Sequence, residues 1–149
     1  MAGSNMVAAK AALIDKLAAA PELAGVQISY GWPGRTLERE CIYGGRIRFT
    51  NEYLAFAAAG VNDGRIPRLE TATISLYVVV RAMDSDQHAA DTRTVELGAV
   101  LENLLAADPR LGGIAMAAAV ESGDLEPLID DDAVAAQLTY EISVRSELT

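Results

Sequence analysis

One cysteine, one histidine and one tryptophan are all that 149 residues contain of those types, and only 5% of the chain is aromatic. A single cysteine excludes an internal disulfide and any cysteine-cluster metal site. It leaves the redox compartment open, with a cytosolic setting the plain reading. With no second histidine either, transition-metal ligation finds no support. No apolar run approaches the ~20 residues needed to cross a bilayer. The opening MAGSNMVAAK has neither a basic n-region nor an apolar h-region, so no secretory signal and a soluble protein are expected. Positive charge is also scarce. Twelve Lys and Arg stand against 21 Asp and Glu, a net of −9, which argues against sequence-specific duplex binding.

What is present is alanine. The chain is 51% hydrophobic, but alanine buries less apolar area per residue than Leu or Phe. At ~25 cal/mol per Å² the isolated core is modest, and association can supply what it lacks. The length suits one domain, residues 1–149, able to bury about two-thirds of its unfolded surface without disulfides or metal. Charge is segregated. Residues 35–68 carry six arginines against four acids, whereas residues 84–132 carry twelve acids against Arg93 and Arg110. Opposite-signed halves fit head-to-tail contacts between copies; equally, the acids solubilise an alanine-rich surface.

Periodicity supplies the elements. Val7, Ala11, Ile14, Leu17 and Ala18 recur at helical spacing, with Lys10, Asp15 and Lys16 opposite, until Pro21 ends the helix. Val26, Ile28, Tyr30 and Trp32 alternate as a strand that Pro33-Gly34 closes. A second strand covers Glu40 to Thr50, with Tyr43, Ile47 and Phe49 on one face and Arg46 and Arg48 on the other. Gly44-Gly45 within it predicts a bulge or a close backbone approach. Residues 51–69 read as an extended loop or hairpin excursion, a length uncommon without a job. Thr71 to Ala82 alternates as a third strand. Asp84 or Ser85 caps a second helix whose buried stripe is Ala90, Thr94, Leu97, Leu101, Leu104 and Leu105. Two strands follow, Ile114 to Glu121 and Ala133 to Ser146, separated by an acidic loop, ESGDLEPLIDDD. The expected class is α+β: a mainly antiparallel sheet of four to five strands with two helices packed on one face, in the order α-β-β-(excursion)-β-α-β-β.

A nucleophile needs an adjacent base and a group to orient it. His88 lies among Asp84, Asp86 and Asp91, a pattern that a solvated helix N-terminus explains. Arg39 and Arg46 flank Cys41 and favour a thiolate, but a lone strand cysteine is more often a small buried hydrophobe. Asp124, Glu126, Asp130, Asp131 and Asp132 offer oxygen ligands, yet without the register of an EF-hand they read as a solvated loop. The glycine pairs lack both nucleotide-binding fingerprints. No catalytic, metal or cofactor site emerges, and the protein is not expected to be an enzyme.

The ordered motifs resemble something else. A helix precedes VQISYGWPG and ERECIYGGRIRFT. After the excursion come RLETATISLYVVVRA, the helix DSDQHAADTRTVELGAVLENLLAADPRLGG, and IAMAAAVES. Together, over roughly residues 6–146, the chain resembles a tail terminator (tail completion) protein from the neck of long-tailed, non-contractile bacteriophages. The resemblance implies a virion protein, assembled in the host cytoplasm, that forms a ring, typically a hexamer. Such a ring caps the head-proximal end of the tail tube, ends tube polymerisation and docks to the head connector. It has no enzymatic activity and lets DNA pass non-specifically through its lumen. A head completion (stopper) or tail tube protein is the near alternative. A small-molecule-binding α+β domain, with Trp32, Tyr30 and Tyr43 lining a pocket, is the alternative of another class.

On this reading YGWPGRTLERECIYGG is a contact surface, with Trp32 and Tyr43 adhesive and Arg35 and Arg39 its charged rim. Arg46, Arg48, Arg65 and Arg68 are candidates for contact with acids of an adjacent subunit. Asp124, Glu126, Asp130, Asp131 and Asp132 form a candidate acidic loop at the lumen or on a face.

Overall fold

Six consecutive alternations, Val134 to Val144, build the longest of the described strands. The computed structural model describes residues 3–34, 38–53, 66–82, 86–130 and 133–148. The chain runs α1 (Met6–Ala19), β1 (Gln27–Ser29), β2 (Glu40–Tyr53), β3 (Arg68–Ala82), α2 (Gln87–Ala107), β4 (Ala117–Asp130) and β5 (Ala133–Leu148). The strands form one sheet of five in the order β1-β2-β3-β5-β4. All its ladders are antiparallel except that of β1 with β2. This is the expected α+β arrangement in the expected element order.

The two central strands set the core. Ile74 opposite Ile142, Leu76 opposite Tyr140 and Val78 opposite Leu138 all face the helices and are buried. Over them lie Leu13 and Leu17 of α1 and Leu97, Leu101 and Leu105 of α2. Asp86 caps α2, accepting from the Ala89 N–H at 2.8 Å, in place of the expected Asp84 or Ser85, which lie outside the described residues. Lys16 and Asp108 pair at 2.7 Å and tie the ends of the two helices together. Among the described residues, no helix lies on the opposite face of the sheet.

Four expectations change. In α1 the buried positions are Ala9, Lys10, Leu13, Ile14 and Leu17, while Val7 and Ala18 are exposed. An alanine-rich helix has little hydrophobic contrast, so docking decides its rotation. Lys10 is buried because its ammonium donates to the Gly45 carbonyl at 2.7 Å and sits 4.0 Å from the centroid of the Tyr30 ring. Its aliphatic stem covers apolar surface on the way. Burial lowers its pKa.

In β2 the expected irregularity is present: the register slips between Gly44 and Ile47. One extra residue flips every later side chain. Tyr43 therefore lies on the helix-free face, whereas Ile47 and Phe49 lie on the helix face, not with it. A Cβ on Gly44 would run into the Tyr30 carbonyl oxygen and the Lys10 stem. β1 is only three residues long and parallel to β2, so Tyr30 and Trp32 fall beyond it.

The largest correction concerns the acidic loop. Residues 121–130 continue β4, paired with β5 from Ala117–Arg145 to Asp130–Ala133 with a slip between Val120 and Ser122. The long alternating β5 needs a partner along its whole length, and DLEPLI supplies one. At the excursion, Asn51, Glu52 and Tyr53 pair with Glu70, Leu69 and Arg68, so its ends form a hairpin; residues 54–65 lie outside the described residues.

Gly44→Ala is expected to destabilise the fold by ~1–3 kcal/mol through overpacking. Gly31→Ala, where nothing lies within 4 Å, serves as the control. Urea denaturation of both variants measures the difference.

Candidate functional site

The most distinctive surface lies just before the bulge of β2, where Tyr43 pairs with Tyr77. Trp32 meets Tyr43 edge-on at 5.3 Å between ring centroids and 86°. Tyr43 in turn lies 5.1 Å from Tyr77. All three occupy the helix-free face, and Trp32 remains 62% exposed. Burial first, then the neighbouring Cys41 and Tyr77, raises the Tyr43 pKa. Beside this cluster Ser75 donates to both oxygens of Glu141, at 2.9 and 3.1 Å. Tyr30 does not join: its ring is engaged by Lys10. The pocket of Trp32, Tyr30 and Tyr43 is therefore not assembled within one chain.

The arginines fall into groups. Arg46 and Arg48 are exposed on the second half of β2, and Arg48 shares the helix-free face with Tyr43. Arg39 donates from Nε to the Arg81 carbonyl at 3.1 Å at the other end of the strand. Arg68 is half-buried opposite Tyr53 and Leu148. Arg35 and Arg65 lie outside the described residues.

Of the acids, Asp124 and Glu126 are exposed on the helix-free face of β4. Asp130 ends that strand, and Asp131 and Asp132 lie outside the described residues. The sheet order separates β2 from β4 by three strand spacings, roughly 14 Å at ~4.8 Å each. Arg48 and Asp124 of one chain therefore cannot meet. Among the described residues, neither Arg46 and Arg48 nor Asp124 and Glu126 have an ion-pair partner. The surface has a basic edge and an acidic edge.

The residues weighed for chemistry are placed against it. Cys41 is buried, and burial pushes its thiol up to about 11 against the opposing pull of Arg81. At neutral pH it is a protonated, packed side chain. His88 is exposed in the first turn of α2. Among the described residues no three His, Cys, Asp or Glu side chains converge as metal ligands. In the same set no helix is long and apolar enough to cross a membrane.

No protein-family model and no curated protein matches the chain. A solved structure does, over nearly its whole length. The likeness is to a chain of the "Virion of native gene transfer agent (GTA) particle", at a TM-score of 0.52 and 13% identity, covering 93% of this chain and 94% of that one. The two chains share a fold.

Sequence reading missed two members of the surface and one brace behind it. Tyr77 and Glu141 lie on different strands, and only the register shows what they meet. The brace is Arg93, whose Nε and Nη2 donate to the Glu40 carboxylate at 2.6 and 3.0 Å, joining α2 to the start of β2. Fifty-three positions separate the two, and no local signal links them. The bond from Arg93 and its charge hold the Glu40 carboxyl below the usual carboxylate range, against a smaller opposing effect of burial.

Since the folded pKa of Glu40 is depressed, the stability it contributes is present above the unfolded value, ~4.3, and fades as pH falls through the folded one. Both side chains are partly exposed, at 43% and 25%, so Arg93→Ala is expected to cost ~1 kcal/mol or less at neutral pH. That deficit should close in acid. Thermal melts of wild type and variant across pH measure it.

Proposed function

We propose that the chain is a structural virion protein that works by assembly and has no catalytic role. The observation that carries this is the fold shared with a virion chain over 93% of this one. Supporting it are the basic and acidic edges, which have no ion-pair partner among the described residues, and an exposed aromatic cluster suited to a protein contact. The more specific role is the one the ordered motifs imply: a tail terminator that forms a ring, most simply a hexamer, at the head-proximal end of the tail tube. Its partners are further copies of itself, the tail tube protein below and a head completion or connector protein above. DNA passes through the hole without specific contact, since an acidic wall repels phosphate.

Native mass spectrometry of the purified protein tests this reading. A closed six-fold species is expected, and adding it to polymerising tube subunits should halt their growth. Open-ended polymers would favour a tube subunit, and a ring that binds the connector without halting tube growth would favour a stopper. A monomer at micromolar concentration would overturn assembly altogether. Arg46→Glu combined with Arg48→Glu should shift the ring toward monomer. Wild-type assembly should also weaken as salt rises from ~0.1 to ~1 M and the screening length falls from ~10 to ~3 Å. An unchanged mass distribution in the double variant would remove these arginines from the interface.

A further inference from the structure

We propose that copies join by continuing the sheet: the free edge of β2 in one copy pairs antiparallel with the free edge of β4 in the next, Arg48 facing Asp124 and Ile47 facing Leu125. This rests on the ring reading above and supplies its junction.

The first ground is unpaired backbone. β1 covers β2 only from Cys41 to Tyr43, and the Gly45 carbonyl is taken by Lys10. Among the described residues nothing pairs with the outer side of β2 from Arg46 to Glu52, a stretch exposed throughout except at the half-buried Ile47. At the other edge, the Ala118 N–H donates to the Pro109 carbonyl at 2.6 Å. Beyond it, no described residue pairs with the outer side of β4 from Ser122 to Asp130. Two free segments of about equal length thus lie on opposite edges of one sheet, each a template for another strand.

The second ground is direction. Copies in a ring are related by rotation, so strand directions repeat from one to the next. β2, β3, β5 and β4 alternate in direction, so β4 of one copy meets β2 of the next antiparallel without inversion.

The third ground is that both faces match. On the helix face, Phe49 is 51% and Leu125 41% exposed. Lys10 stands at Gly45 and Ser4 at Glu70, 2.8 Å away. Because Glu70 lies opposite Asn51, α1 runs antiparallel to β2, and the exposed Val7 falls between these two anchors, at the level of Ile47 to Phe49. On the helix-free face the arginines of β2 would meet the acids of β4. With Arg48 opposite Asp124, Ile47 falls opposite Leu125, Arg46 opposite Glu126, and Phe49 opposite Gly123, whose missing side chain leaves room for the ring. Like pairings are disfavoured, since β2 on β2 sets arginine against arginine and β4 on β4 sets acid against acid.

The junction is staggered. Within one chain Arg48 is level with Thr73, Ser143 and Ala119. Asp124 is level with Thr139, four places along β5 from Ser143, so pairing it with Arg48 offsets each copy by about four residues, roughly 14 Å. Closing a sheet into a cylinder requires such a shear.

Two single variants at exposed positions, Arg48→Cys and Asp124→Cys, are purified, mixed and oxidised, with species read by non-reducing gel and native mass spectrometry. Cys41 stays buried and protonated, and Asp15→Cys replaces Asp124→Cys in the control. The expected result is a ring in which the 48–124 mixture forms a covalent dimer and the control does not. A ring with no bond from position 48 to position 124, nor to Ser122→Cys or Glu126→Cys tried in its place, overturns the junction and leaves the ring. Cross-linking in open chains without a ring upholds the junction and overturns closure. Neither ring nor bond overturns both. As a second readout, Arg48→Asp mixed with Asp124→Arg should recover assembly that each variant alone has lost; failure to recover counts against the register.

Discussion

The two long edges of the sheet, which no described residue pairs over most of their length, are the constraint on which the rest of the structure depends. A strand at an edge holds half of its amides and carbonyls toward open space, and folded proteins normally blunt such edges or cover them. Here β1 shields three residues of β2, and the turn before β4 engages one amide. The helices cannot help, because both are committed to one face to build a core of leucine, isoleucine and valine. Among the described residues the sheet is thus finished internally and left open laterally. The segregation of charge seen in the sequence becomes intelligible once it is placed on those edges.

Much of this was legible in the sequence, and the exceptions have physical causes. The alternation of β5 and the leucine stripe of α2 were readable because bulky apolar residues give strong contrast at periods of 2 and 3.6. The rotation of α1 was not, because alanine on every side leaves the choice to Lys10 and its partner at Gly45. The bulge at Gly44 was anticipated from its glycines, but its consequence was not: one added residue moves Ile47 and Phe49 away from Tyr43. The acidic stretch was the instructive failure. Asp124 and Glu126 alternate with Leu125 and Pro127, a strand pattern outweighed by the density of acid around it. The length of β5 was the clue that it needed a partner there.

The surface was less legible than the fold. Trp32 and Tyr43 are brought together edge-on, and Tyr77, the third ring, arrives through pairing of β2 with β3. The Arg93–Glu40 brace joins positions far apart in sequence. Cys41 and His88, the residues with most chemical potential, are placed to do least with it, one packed and protonated, the other in the open first turn of a helix. At 13% identity to a virion chain, what the two have in common is the arrangement of layers and strands. A role in assembly draws on that arrangement, through edges and faces, more than on any single reactive side chain.

The central claim is that this open-edged sheet is completed by further copies of itself. Cryo-electron microscopy of the purified protein tests it most directly. The account predicts annular particles in which sheet density runs unbroken through each subunit junction, with β2 of one copy beside β4 of the next. Isolated monomers, or rings whose subunits meet through their helices while both sheet edges stay free, would contradict it.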